Sequence, residues 1–142
     1  MSLDICLVSP PKRAYNHNRP PLALMLIASF LENNGIRTEI VDPKSDQYVS
    51  GTQKAIIVEQ ILKRIDELNP RIVGISCFTP EFSDVISLSM KIKEKRNGIK
   101  IVIGGIHATL RPKDFFFKNS PIDFVVIGEG EITIYELAKA ML

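Results

Sequence analysis

Four short segments hold the residues from which chemistry could be built: Ser9-Pro10-Pro11, Ser76-Cys77-Phe78-Thr79-Pro80, Gly104-Gly105-Ile106-His107-Ala108-Thr109 and Gly128-Glu129-Gly130-Glu131. They are rich in Gly, Ser, Thr and Pro. Such residues let backbone come close to a ligand and leave N–H groups free to meet it. The chemistry on offer is that of holding a molecule. Each segment also has a plainer reading. Gly104-Gly105 can be a tight turn and His107 a surface-loop histidine. Glu129 and Glu131 can favour a helix start electrostatically, and Ser76 and Thr79 can be strand-end and cap residues.

Several familiar sites are excluded by what these segments lack. No G-x-G-x-x-G follows the first strand and no G-x-x-x-x-G-K-[ST] occurs, so neither a dinucleotide fingerprint nor a phosphate-binding P-loop is present. A receiver domain needs acids after strand one and an Asp ending strand three, where this chain has Ser9-Pro10 and Ser76-Cys77. A flavodoxin phosphate loop needs backbone donors, which Pro10 and Pro11 cannot supply. No G-x-S-x-G elbow exists. The two cysteines, Cys6 and Cys77, lie far apart without metal-ligand spacing, which suits a reducing cytoplasm, and Cys6 reads as a buried small hydrophobe.

The elements that must position these segments alternate. Strands are predicted at Leu3–Val8, Arg37–Val41, Arg71–Ser76, Lys100–Ile103 and Ile122–Ile127, each a short apolar run. Helices are predicted from Pro20-Pro21 to about Asn34, over Lys54–Leu68, from a Thr79 cap to about Arg96, over a short Pro112–Lys118 piece, and over Glu131–Leu142. The alternation predicts one α/β domain over residues 1–142: a flavodoxin-like, doubly wound, five-stranded parallel sheet of order 2-1-3-4-5 in three α/β/α layers. In such a sheet the ligand sits beyond the carboxyl ends of the strands, where all four segments fall. Residues 12–19 carry few apolar anchors and are expected to be mobile.

Bulk properties agree. A chain of 142 residues with 45% apolar and 24% charged content is an ordinary single domain. Its net charge of +2 gives no nucleic-acid footprint. The longest apolar stretch, Pro20–Leu31, is too short to span a bilayer, and no signal peptide is evident. The chain stops on a helix without a polar tail, which suggests a piece of something longer.

Taken together, Pro20–Gly35 (PPLALMLIASFLENNG), Val73–Pro80 (VGISCFTP), Ile103–Thr109 (IGGIHAT) and Phe124–Glu131 (FVVIGEGE) resemble the cobalamin-binding domain that precedes the catalytic domain of many radical S-adenosylmethionine enzymes. The joint pattern of G-G-x-H-A-T and G-E-G-E carries the resemblance over nearly the whole chain. It implies a cobalamin whose nucleotide tail lies in a slot lined by Ser76, Gly104 and Gly105. The corrin would then meet a rim of Pro10, Pro11, Phe78, His107, Ala108, Thr109, Gly128, Glu129 and Gly130, with Cys77 and Thr79 beside it. The D-x-H-x-x-G of methionine-synthase-like relatives is missing; His17 stands in that loop without its Asp and Gly. The resemblance therefore implies a base-off, His-off cofactor, with His17 the runner-up as a lower ligand.

The implied enzyme performs methyl transfer or a tetrapyrrole ring closure. Its S-adenosylmethionine and 4Fe-4S cluster would belong to a radical SAM domain downstream, because no C-x-x-x-C-x-x-C occurs here. This chain alone would bind cobalamin and catalyse nothing. The alternatives are a non-catalytic sensor of cobalamin or another small ligand, and a degenerate domain kept as an interaction surface.

Overall fold

The computed structural model describes residues 2–11, 20–43 and 54–142. The strands are β1 (Ile5–Val8), β2 (Thr38–Val41), β3 (Ile72–Ser76), β4 (Lys100–Gly104) and β5 (Phe124–Val125). The helices are α1 (Leu22–Asn33), α2 (Lys54–Leu68), α3 (Phe82–Lys95), α4 (Ile106–Leu110) and α5 (Glu131–Met141), with short 3-10 turns at Thr79–Glu81 and Pro112–Phe115. All strand pairs are parallel and the order is β2-β1-β3-β4-β5, the flavodoxin-like arrangement expected from the sequence. His17 and the 12–19 loop lie outside the described residues.

The strands read as continuous apolar runs because both faces are covered. On one face Cys6, Val8, Val73, Ile75, Ile101 and Ile103 pack against Ile57, Ile61 and Ile65 of α2 and Val85, Leu88 and Ile92 of α3. On the other, Ile5, Leu7, Ile72 and Val102 pack against Leu24 and Leu31 of α1 and Ile134 and Ala138 of α5. Burying each such aliphatic side chain contributes about 1.5–3 kcal/mol. Phe30 of α1 meets Tyr135 of α5 edge to face at 6.0 Å, which joins the two helices. The α1 helix stops where Gly35 takes φ +82°, with its N–H on Glu32 O and the Ile36 N–H on Leu31 O. That left-handed position suits glycine.

Three local readings change. Thr79 does not cap α3; the Glu81 carboxylate instead accepts from the Phe78 N–H at 3.1 Å, and a 3-10 turn leads into the helix. The segment after β4 is not a loop: Ile106–Leu110 forms α4, ahead of the predicted Pro112 piece. β5 is two residues long rather than six, although Asp123 N and Val126 N still donate to Ile101 O and Ile103 O. Hydrogen bonding to one neighbour therefore outlasts the assigned strand, as expected at a sheet edge.

Candidate ligand-binding site

Side chains alternate across a strand, so β3 and β4 each show two different faces. Toward α2 and α3 they present Val73, Ile75, Ile101 and Ile103. Toward α1 and α5 they present Gly74, Ser76, Val102 and Gly104. Gly74 pairs with Val102 and Ser76 with Gly104, so the small residues lie side by side in the middle of the sheet. The result is a groove whose floor is low at Ser76 and Gly104, with Leu7 and Val102 beside them. Helices α1 and α5 flank it through Ala23, Leu26, Ile27 and Ile134, and α4 and Gly128–Gly130 close its carboxyl end. The cavity measures about 650 Å³ and is mainly apolar; the charged residues lining it are Glu129 and Glu131. A site of this size and polarity suits an organic ligand.

The glycines have different duties. A Cβ on Gly104 would meet nothing within 4 Å, so that position opens straight into the cavity. A Cβ on Gly105, at φ +97°, would come within 3.0 Å of both Cys77 N and Cys77 O. Gly105 thus serves a backbone crossing, where Cys77 N donates to Gly104 O and His107 N donates to Cys77 O. Gly74 is covered by Leu7, whose Cδ2 would lie 2.9 Å from an added Cβ.

Because residues 106–110 are helical, they divide between two sides. Ile106, Thr109 and Leu110, spaced three and four apart, line the cavity, while His107 and Ala108 are buried behind it. The His107 ring stacks on Phe82 at 4.9 Å and meets Phe115 edge on at 5.5 Å. Its Nε2 is 2.9 Å from Asp114 Oδ2 and its Nδ1 is 3.1 Å from Thr79 Oγ1. Asp114 is held below the ordinary carboxylate range, first by the hydrogen bond from Arg111 and then by that from His107. An ionised carboxylate only accepts, so His107 Nε2 carries a proton and donates it. Thr109 Oγ1 accepts from the Gly128 N–H at 2.9 Å, tying α4 to the glycine segment before α5.

Of the residues singled out from sequence, Ser76, Gly104, Gly105, Thr109, Gly128, Glu129 and Gly130 come together around the cavity. Cys77, His107 and Ala108 lie behind it, and the Thr79 hydroxyl faces His107 rather than the cavity. Burial pushes the Cys77 thiol up to about 12, and that of Cys6 likewise, so neither is a ready thiolate. Pro10 and Pro11 are buried just after β1, and Phe78 is half-exposed after β3. Sequence reasoning missed Gly74, Ile106, Leu110 and the walls supplied by α1 and α5. A glycine inside the strand run IVGIS is the signal that could have found the floor. The apolar surplus of α1, with Leu22, Met25 and Leu26 exposed, could have found one wall.

A second hollow of about 510 Å³ lies at the amino ends of the strands, beside Arg71, Arg96, Lys100 and Met141. Ion pairs brace that end: Asp4 with Arg37 at 2.9 Å, Lys93 with Asp123 at 2.7 Å and Arg96 with Asp66 at 2.9 Å. The carboxyl-end cavity has the apolar walls, the glycine floor and the position that ligand binding in this fold requires.

A doubly wound sheet with such a groove defines a class of ligand-binding α/β domains. The family model of the B12 binding domain matches residues 13–138, and the chain belongs to that family. An uncharacterised methyltransferase of Pyrococcus horikoshii is 30% identical across 98% of this chain, which covers 29% of that protein. The anaerobic magnesium-protoporphyrin IX monomethyl ester cyclase of Synechocystis is 28% identical across 98% of this chain and 28% of its own length. Among solved structures, the radical S-adenosylmethionine methyltransferase TsrM of Kitasatospora setae, with cobalamin and a [4Fe-4S] cluster bound, superposes with a TM-score of 0.75. That match has 22% identity over 99% of this chain and 26% of TsrM, a likeness of fold. The chain thus spans less than a third of the length of the relatives it matches.

The residues present fit cobalamin, the ligand of this family. The cofactor combines a long, narrow nucleotide tail with a broad ring. The groove over Gly74, Ser76 and Gly104 is narrow, open where a side chain at 104 would stand, and apolar along α1 and α5.

Proposed function

We propose that the groove over Gly74, Ser76 and Gly104 takes the nucleotide tail, and that Pro10, Pro11, Phe78, Ile106, Leu110 and Gly128–Gly130 meet the corrin. The observation that carries this reading is the open space at Gly104, next to Ser76, at the carboxyl end of a floor that Leu7 and Val102 also line. The cofactor is held base-off and without a histidine ligand. In support, both ring nitrogens of His107 are engaged by Thr79 and Asp114 on the side away from the cavity. Binding should stabilise the fold by about 2.7 kcal/mol at a hundred times Kd.

In this reading the chain is the cobalamin module of a longer radical SAM enzyme of the cytoplasm, joined to a catalytic domain that supplies the S-adenosylmethionine and cluster chemistry. When bound, cobalamin supplies methyl-carrying or radical-assisting chemistry at cobalt. The residues here bind it, orient it and keep water from its tail. Methyl transfer is the first activity to assay in the longer protein. A ring-forming cyclisation is the second, prompted by the alignment of 98% of this chain with 28% of the Synechocystis cyclase.

The test is a titration of the purified chain with hydroxocobalamin and methylcobalamin, read by visible spectrum. Binding with a base-off, His-off spectrum is expected. A histidine-ligated spectrum would overturn the His-off assignment and point to His17. No uptake by a folded chain would overturn the cobalamin reading.

A further inference from the structure

His107 is a buried, polar, titratable residue that the cavity does not use. Its contacts nevertheless join the segments behind α4. The ring lies between Phe82, at the start of α3, and Phe115, in the 3-10 turn after α4. One nitrogen reaches Thr79 after β3 and the other reaches Asp114. Asp114 is held in turn by Arg111 Nε at 2.9 Å. The His107 backbone N–H donates to Cys77 O, at the crossing that Gly105 makes possible.

The opposite side of the same short helix forms a wall of the cavity. A five-residue helix cannot hold its own shape in water, so its placement depends on tertiary contacts. Behind α4 those contacts are the His107 ring and Ala108. In front of it, Thr109 Oγ1 fixes the Gly128 N–H and with it the approach to α5. A small rotation of α4 would therefore move Ile106, Leu110 and the 128–130 segment together.

Resting on the cobalamin reading above, we infer that His107 is a positioning residue for the cofactor site: pinned between Phe82 and Phe115 and bonded through both ring nitrogens, it holds α4 so that Ile106, Thr109 and Leu110 meet the ligand. It acts through the helix and touches neither the cavity nor the cofactor.

Three variants test this. H107F keeps an aromatic ring for the stack and removes both hydrogen bonds; Thr79 and Asp114 reach solvent and can be hydrated. D114A removes one anchor from a partly exposed position. H107Q restores a donor toward Asp114. Hydroxocobalamin affinity and dissociation rate are measured on each, alongside thermal melts. For H107F, Kd should rise about tenfold, the usual scale for a residue that orients others, with dissociation correspondingly faster. D114A should show a smaller rise, and H107Q should recover part of the loss.

A merely structural role would lower melting temperature and leave the affinity of the folded fraction unchanged. The double variant H107F/T109V separates the two. Measured with the single T109V variant, losses in affinity that overlap rather than multiply are expected if both residues act through α4, and fully multiplicative losses would overturn that coupling. A wild-type chain that takes up no cobalamin sinks the cobalamin reading and this inference with it. A wild type that binds while folded H107F and D114A bind equally well overturns this inference alone. Should H107F not fold, D114A decides: unchanged affinity and dissociation rate overturn the inference.

Discussion

The two faces of β3 and β4 are made from the same ten residues of backbone and do opposite things. Toward α2 and α3, Val73, Ile75, Ile101 and Ile103 are all 2% exposed or less and interlock with two helices. Toward α1 and α5, Ser76 and Gly104 open into a groove, while Leu7 covers Gly74. One face supplies packing energy and the other gives some of it up. The alternation of one strand lets a domain keep a close-packed core within a sheet thickness of a ligand cavity.

If the faces differ in this way, substitutions on them should separate stability from binding. The largest effect is expected on the packed face. Ile103→Ala leaves a void in the buried cluster that also holds Ile75, Val85 and Leu88, and should cost about 2–5 kcal/mol in denaturant melts. A loss below about 1 kcal/mol would mean that this face is not close-packed. On the open face, Gly104→Leu should leave the melting curve near wild type, because its Cβ meets no atom within 4 Å. The same change fills the groove and should weaken cobalamin binding about a hundredfold, or about 2.7 kcal/mol. Unaltered affinity would move the tail out of this groove.

The neighbouring glycine sharpens the contrast. Gly105→Ala puts a side chain at φ +97° and 3.0 Å from the Cys77 backbone. It should destabilise the fold by about 1–3 kcal/mol. Gly104→Ala should stay within about 0.5 kcal/mol of wild type. Equal melts for the two alanine variants would erase the division of duties between adjacent glycines.

The fold was largely legible in the sequence because its signals are periodic and redundant. Apolar runs ending in Ser9-Pro10, Asp42-Pro43, Ser76-Cys77, Gly104-Gly105 and Gly128-Glu129 mark strand ends one after another, and their alternation with helices implies a parallel sheet covered on both faces, for which 2-1-3-4-5 is the flavodoxin-like order. The site was legible where glycines mark it, at 104, 105, 128 and 130. It was not legible at α4. Five residues are too few to display a helical period, so G-G-I-H-A-T reads as a loop and His107 as a rim residue. Once the segment is helical, positions 107 and 108 turn inward while 106, 109 and 110 face the cavity. The Gly74 floor was hidden for a related reason. Its role depends on its neighbour across the ladder, and one strand's pattern does not show which residues stand beside it.

The smallest expected effect compares two carboxylates that the structure holds below their ordinary value. Asp4 at the amino end of the sheet is lowered chiefly by its hydrogen bond from Arg37, and Asp114 behind the cavity by those from Arg111 and His107. A carboxyl whose folded pKa lies below its unfolded value stabilises the fold above that unfolded value. The contribution fades as pH falls from about 4 through the folded pKa. Both pairs are therefore lost in the same acid window, but they should differ in consequence. Asp4→Asn should flatten the acid limb of the stability curve and leave cobalamin dissociation unchanged, because the Asp4–Arg37 pair is at the end of the sheet remote from the cavity. Asp114→Asn should flatten the same limb by a similar small amount. It should also remove the acid-induced rise in dissociation rate that protonating the wild-type Asp114 brings about by loosening its bond to His107. Stability against pH by urea melts, with dissociation followed by visible absorbance at the same pH values, separates the two. If both variants alter dissociation alike, acid acts on the fold as a whole and α4 holds no special place in it.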